Sequence, residues 1–151
     1  MNTTRRQVIK TTGVLGTLVS LGIITQAQAL AADERPGFST KSFADAVNAL
    51  GGSPANSADI ILDTPDIAAN GAVVPVGAES KIPGTTDMWF LIEKNPYPLA
   101  AGFSFPAGTS TDVKTRVKMG QTTNVTVVVK ADGKLYANSK ETKVTLGGCG
   151  G

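Results

Sequence analysis

The chain has 151 residues, 41 per cent of them apolar and 17 per cent charged, which suits one domain with an ordinary core. Its formal charge of +2 depends on Arg5, Arg6 and Lys10 at the amino terminus; without them 11 basic residues face 12 acidic ones. So neutral a chain is not built for nucleic acid or an anionic membrane, which are held chiefly by dense positive charge. With no histidine and a single cysteine, the sequence excludes a structural zinc site, a Cys/His protease pair, a Ser/His/Asp triad and an internal disulfide. No metal or cofactor is expected.

Thr3-Thr4-Arg5-Arg6-Gln7-Val8-Ile9-Lys10 resembles a twin-arginine export signal, with Val8 where that pattern usually has phenylalanine. The apolar stretch that follows, Val14 to Ile24, is diluted by Gly13, Gly16, Thr17, Ser20 and Gly22 and is too short for a stable membrane span. Cleavage is expected after Ala29 or Ala31. Residues 1–31 are therefore expected to be a removed signal peptide, and the mature protein a periplasmic one with no membrane segment.

In the mature chain, Phe43, Ala44, Val47 and Leu50 recur at helical spacing, and Gly51-Gly52 supplies a stop. A short helix over 42–50 is predicted. After the loop 53–57, strands are predicted over 59–64 and 72–76, separated by a turn-rich connector, 65–71; Pro75 points to an edge or a break in pairing. Asp87 to Glu93 reads as a strand buried on both faces, Asn95-Pro96-Tyr97-Pro98 as a turn, and Leu99 to Phe105 as a strand closed by Pro106-Ala107-Gly108.

From Thr111 to Met119 the alternation sets Val113, Val117 and Met119 on one face and Asp112, Lys114, Arg116 and Lys118 on the other. The basic face is either a solvated surface that discourages edge pairing or a contact for a partner. Val125 to Lys130 is β-branched, Asp132-Gly133 is a two-residue hairpin signal, a strand begins at Lys134-Leu135-Tyr136, and a last strand is predicted over 141–146. About seven short strands, with one short helix before them, predict an all-β fold: an immunoglobulin-like antiparallel β-sandwich over 32–146.

The chain closes with Gly147-Gly148-Cys149-Gly150-Gly151. A cysteine set among four glycines cannot be core, and an exposed unpaired thiol on an exported protein needs a use. The thiolate is the nucleophile, yet no base lies near in sequence, the nearest basic residue is Lys143, and the terminal carboxylate disfavours ionisation. Residues 147–151 are thus expected to be a flexible arm that carries a disulfide-type or thiosulfonate adduct into other proteins' active sites, with nothing catalytic of its own.

This tail and the export signal, together with Leu62-Asp63-Thr64-Pro65-Asp66-Ile67-Ala68-Ala69-Asn70-Gly71 leading to Val74-Pro75-Val76, and Ile92 to Leu99, resemble the SoxY family of the periplasmic sulfur-oxidation (Sox) system. The resemblance implies an immunoglobulin-like carrier subunit holding thiosulfate and its successors on Cys149 as S-sulfonate or persulfide. It also implies a heterodimer with a SoxZ-like subunit. A Sox c-type cytochrome complex would load the thiol, a hydrolase would release sulfate, and a sulfane dehydrogenase would oxidise the remaining sulfur. Three other readings are weaker. A ubiquitin-like carrier would use a thiocarboxylate at Gly150-Gly151, but such proteins are cytoplasmic. An exported module would dimerise through a Cys149 disulfide, a linkage that also fits an oxidised by-product of the carrier. An enzyme with Cys149 as nucleophile lacks a base.

Overall fold

The structure, a computed structural model, describes Arg35 and residues 37–145. Among the described residues one helix, α1 (Phe43–Leu50), precedes nine strands: β1 (Ala55–Asn56), β2 (Ile60–Asp63), β3 (Ile67–Ala68), β4 (Val74–Ser80), β5 (Thr85–Ile92), β6 (Leu99–Ser104), β7 (Asp112–Val117), β8 (Thr123–Ala131) and β9 (Lys134–Val144). The larger sheet runs β1-β9-β8-β5-β6, with β3 also paired to β9, and the smaller runs β2-β4-β7. Pairing is antiparallel except at β1 and β3, which each lie parallel to β9 over two residues. The immunoglobulin-like sandwich is the fold found, and each of its seven longer strands overlaps a segment that the sequence analysis reads as strand.

Between the sheets lie Ile60, Val74 and Val76 from one side and Met88, Phe90, Ile92, Val125, Val127 and Val129 from the other. Phe90 meets Phe103 edge to face, with ring centres 6.0 Å apart, a favoured aromatic geometry. The opposite face of the larger sheet is covered by α1, whose Ala46 and Val47 pack with Leu91, Leu99, Val128 and Ala137. That third layer is why β5 and β8 are apolar on both faces. Ser42 caps α1 by accepting from Asp45 N–H at 3.1 Å, and Gly51 ends it at φ 128°, a conformation that favours glycine. Ala44, assigned by spacing to the buried stripe, is exposed, and Ala46 takes that place.

Three other expectations are revised, while that for Pro75 is met in one of its two forms: it lies in β4, the central strand of the small sheet, at a position where pairing with β2 is broken. Ser80 N–H donates to Thr111 O on the β7 side and Lys81 N–H to Asp59 O on the β2 side, so by alternation position 75 would point its N–H toward β2. Since β2 ends at Asp63, opposite Gly77, the proline costs no ladder bond. β4 itself continues to Ser80, beyond the apolar run. The two strands expected after the hairpin are one, β9, because β8 offers an unbroken partner from Thr123↔Thr142 to Ala131↔Lys134. The connectors 53–57 and 65–71 each contain a two-residue strand. As expected, Asp132 and Gly133 both have positive φ, 48° and 76°, as a type I′ hairpin requires.

Candidate functional site

Cys149, Gly147, Gly148, Gly150 and Gly151 lie outside the described residues, as do residues 1–31. What the structure does describe is the root from which the last six residues leave, and the side chains that hold it.

The root is the end of β9, and the segment 64–71 binds it along its length. Lys143 N–H donates to Asp66 O at 2.9 Å and Thr145 N–H to Ala68 O at 3.1 Å. On the other side, Val144 N–H donates to Thr122 Oγ1 at 3.0 Å. Side chains add to this. Thr142, 0% exposed, donates its hydroxyl to Pro65 O at 2.9 Å, and Lys140 Nζ reaches both Thr64 O at 3.0 Å and Asp66 Oδ1 at 2.9 Å. Backbone donors from Lys143 to Thr145, the last described residue, are thus satisfied from both sides, so chain direction is set there.

The Lys140 ammonium, through its hydrogen bond and its charge, holds the Asp66 carboxyl below the usual carboxylate range, and Lys143 contributes in the same direction. A carboxyl depressed in the folded state stabilises fully above its unfolded value of about 3.9 and loses that contribution as pH falls through the lower folded value. Carbon-detected NMR titration should therefore place the Asp66 midpoint below the usual aspartate value, and Lys140→Met should return it to the ordinary range.

Gly71 joins this root to the small sheet. Its carbonyl accepts from Met119 N–H at 2.7 Å. A Cβ on it would collide with Met119 O and stand 2.9 Å from Val144 Cγ1. From the opposite quarter, Asn95 Nδ2 donates to Lys118 O at 2.7 Å, Asn95 Oδ1 accepts from Gly120 N–H at 3.4 Å, and Lys94 N–H donates to Thr123 Oγ1 at 3.1 Å. The two stretches 62–71 and 92–99, far apart in sequence, therefore converge on residues 118–123 at one end of the sandwich, beside the root. Ile67, Val73 and Tyr97 at this end stand 62%, 53% and 53% exposed.

The basic residues Lys114, Arg116 and Lys118 are exposed, as the alternation predicts. Lys114 Nζ lies 3.9 Å from Asp63 Oδ2. Sequence reasoning missed Asp66, Gly71, Asn95, Lys140 and Thr142. Only Asn70-Gly71 and Asn95-Pro96 carried a turn signal, and nothing in a β-strand pattern announces a side chain that bonds a carbonyl about 77 residues away. Among the described residues no three His, Cys, Asp or Glu side chains are grouped to hold a metal ion, and no helix is long and apolar enough to cross a membrane.

A helix-covered immunoglobulin-like sandwich whose last strand is held on both sides along its final residues is the class of module that the fold defines. The family model described as sulfur oxidation protein SoxY matches residues 46–149, and the chain belongs to that family. Among solved structures, the sulfur carrier protein SoxY from Chlorobium limicola f thiosulfatophilum is similar at 39% identity and a TM-score of 0.61, over 68% of this chain and 94% of that one. Two variants of superoxide reductase (neelaredoxin) from Ignicoccus hospitalis align at 15% identity and a TM-score of 0.51, over 57% of this chain and 79% of theirs, a likeness of fold alone. No curated protein sequence matches.

Proposed function

We propose that this chain is the sulfur-carrying subunit of a thiosulfate-oxidising Sox system and that Cys149 Sγ is the attachment point, held as S-sulfonate or persulfide. The observation that carries the reading is the similarity, over 94% of its length, to a protein named as a sulfur carrier, joined to a sequence whose single cysteine lies in Gly147-Gly148-Cys149-Gly150-Gly151. The anchored root adds physical sense. Cys149 is the fourth residue after Thr145, a reach of about 14 Å when extended, and the glycines impose no side chains on a narrow active site.

The carrier's chemistry needs only a thiol. Loading by thiosulfate removes the thiol proton and two electrons, forms one S–S bond and leaves Cys–S–S–SO3⁻; the electrons pass to the Sox c-type cytochrome complex. Water then attacks the sulfonate sulfur in a separate hydrolase, releasing sulfate and a proton and leaving Cys–S–SH for a sulfane dehydrogenase. Each enzyme supplies the base and electrostatics that the tail lacks, so no catalyst is assigned to this chain. A SoxZ-like subunit completes the heterodimer. Residues 1–31 are the twin-arginine signal peptide, cleaved after Ala29 or Ala31, residues 32–146 the carrier domain and residues 147–151 the arm, with the periplasm as destination.

Intact-mass spectrometry of the protein from periplasm of thiosulfate-grown cells tests this directly. The expected result is a reducible sulfonate or sulfane mass on the carboxyl-terminal peptide holding Cys149. A clean thiol or only a disulfide dimer would refute the carrier role, and a terminal thiocarboxylate would replace it with the ubiquitin-like type.

A further inference from the structure

The segment 64–68 lies along the end of β9 as a strap, with Ile67 beside Lys143 and Ala68 beside Val144. What holds it is polar. Thr142 Oγ1 donates to Pro65 O, Lys140 Nζ reaches Thr64 O and Asp66 Oδ1, and the amides of Lys143 and Thr145 donate to Asp66 O and Ala68 O. Apolar burial adds little: Ala68 is buried, but Asp66 and Ile67 face solvent and Pro65 is half-buried. Thr64 is buried as well, yet among the described residues its hydroxyl has no hydrogen-bond partner. That orphaned hydroxyl opposes the closed strap, because opening returns it to water.

The far side of β9 gives its last residues little more. The ladder with β8 ends at Thr123↔Thr142, and beyond that pair the support from this side, among the described residues, is one bond from Val144 N–H to Thr122 Oγ1. Lys143 and Thr145 are exposed, and Val144 alone packs against the core, half-buried. Residues 143–145 are therefore held in place chiefly by the strap beside them. Farther back, β9 pairs with β8 residue for residue and Ala137 is buried under α1. Segments with little buried apolar surface and exposed backbone bonds open well below the free energy of global unfolding.

We propose that the strap is a latch on the length of the tail: residues 64–68 and 143–145 open together as one unit, so that Thr142 replaces Thr145 as the last anchored residue. Cys149 is the fourth residue after Thr145 and the seventh after Thr142, and the extended span from anchor to thiol grows from about 14 Å to about 24 Å. Lys140 is the pin of the latch, since its one ammonium holds two strap oxygens. Thr142 holds a third from below. A closed strap keeps the thiol close to the domain, and an open one lets it enter a deeper active site. The use of the longer span rests on the carrier reading of Cys149, whereas the opening itself does not.

Hydrogen exchange on the full chain, followed amide by amide by NMR, tests this. The amides of Lys143 and Thr145 should exchange about 100-fold or more faster than those of Val127 and Val128 in β8, and their rates should hardly respond to low denaturant, because a local opening exposes little surface. Both should share one opening equilibrium. Lys140→Met should speed the two together by about five-fold and Thr142→Val by about ten-fold, factors that one exposed charged bond and one buried neutral bond support. Thr64→Val, which removes the orphaned hydroxyl and keeps the shape, should slow both several-fold. The Gly51 amide, at the end of α1, should keep its rate in all three variants. Exchange needs no adduct, so the result is independent of carriage, which turnover with Cys149→Ser decides separately. Lys143 and Thr145 amides exchanging only with Val127 and Val128, with the same denaturant dependence, would make the strap a fixed part of the fold and overturn the latch. A Thr145 rate unmoved by Lys140→Met would overturn it too, since the strand end would then fray without the strap.

Discussion

Cys149→Ser is expected to reduce thiosulfate-dependent electron transfer in a reconstituted Sox mixture to the level seen with no carrier added. The reason is that the chain has one cysteine and the proposed intermediates are all S–S bonded. A serine hydroxyl is far less acidic than a thiol and forms no comparable bond to sulfur. Because the substitution exchanges a single sulfur for oxygen, the variant should keep the melting temperature of the wild type and still form the proposed heterodimer. Cytochrome reduction followed spectroscopically, with the heterodimer checked by size-exclusion chromatography, separates the two effects. Retained turnover in a folded variant would defeat the assignment of Cys149 as the attachment point.

The second large effect is expected at Gly71, which no chemical argument from the sequence singled out. An alanine there must displace the Met119 carbonyl, which is backbone, and the Val144 side chain at the arm's root. Overpacking of this kind costs about 1–3 kcal/mol. For a domain of this size that lowers the melting temperature by about 5–15 °C. Gly120→Ala is the control: the position immediately follows Met119 in the chain, but a Cβ there meets nothing within 4 Å. Its melting temperature should stay within a degree or two of the wild type, since surface substitutions away from special features change stability little. Thermal unfolding followed by circular dichroism gives both numbers, and equal melting temperatures for the two variants would show that the 69–73 loop yields without cost.

These two positions mark where the sequence is legible and where it is not. The hairpin at Asp132-Gly133, the capped helix ending at Gly51, the alternating basic strand around Lys114 and Arg116 and the doubly buried β5 were readable because each is a local matter of φ, of period or of apolar density. The length of β9 was misread, and the choice at Pro75 between an edge and a break in pairing stayed open, for one shared reason. Whether a proline harms a sheet, or whether the polar run Asn138-Ser139-Lys140 interrupts a strand, depends on the neighbouring strand, which period and propensity do not describe. In β9, Asn138 Nδ2 bonds Ile60 O at 2.8 Å and Ser139 Oγ lies 3.0 Å from Thr126 Oγ1, so these polar residues support the ladder they were expected to end.

For the arm the division has the same origin. Composition alone established one thiol, no histidine and a glycine setting for that thiol, and those facts exclude a zinc site, a Cys/His pair and an internal disulfide. Charge alternation likewise placed Lys114 and Arg116 together on one face. Only tertiary structure decided that Asp66, Gly71, Asn95, Lys140 and Thr142 meet at the end of β9. The reason is physical. Reactivity and local conformation follow from residue type and immediate neighbours, whereas a carbonyl's partner some 77 residues away is set by how two sheets close around their core.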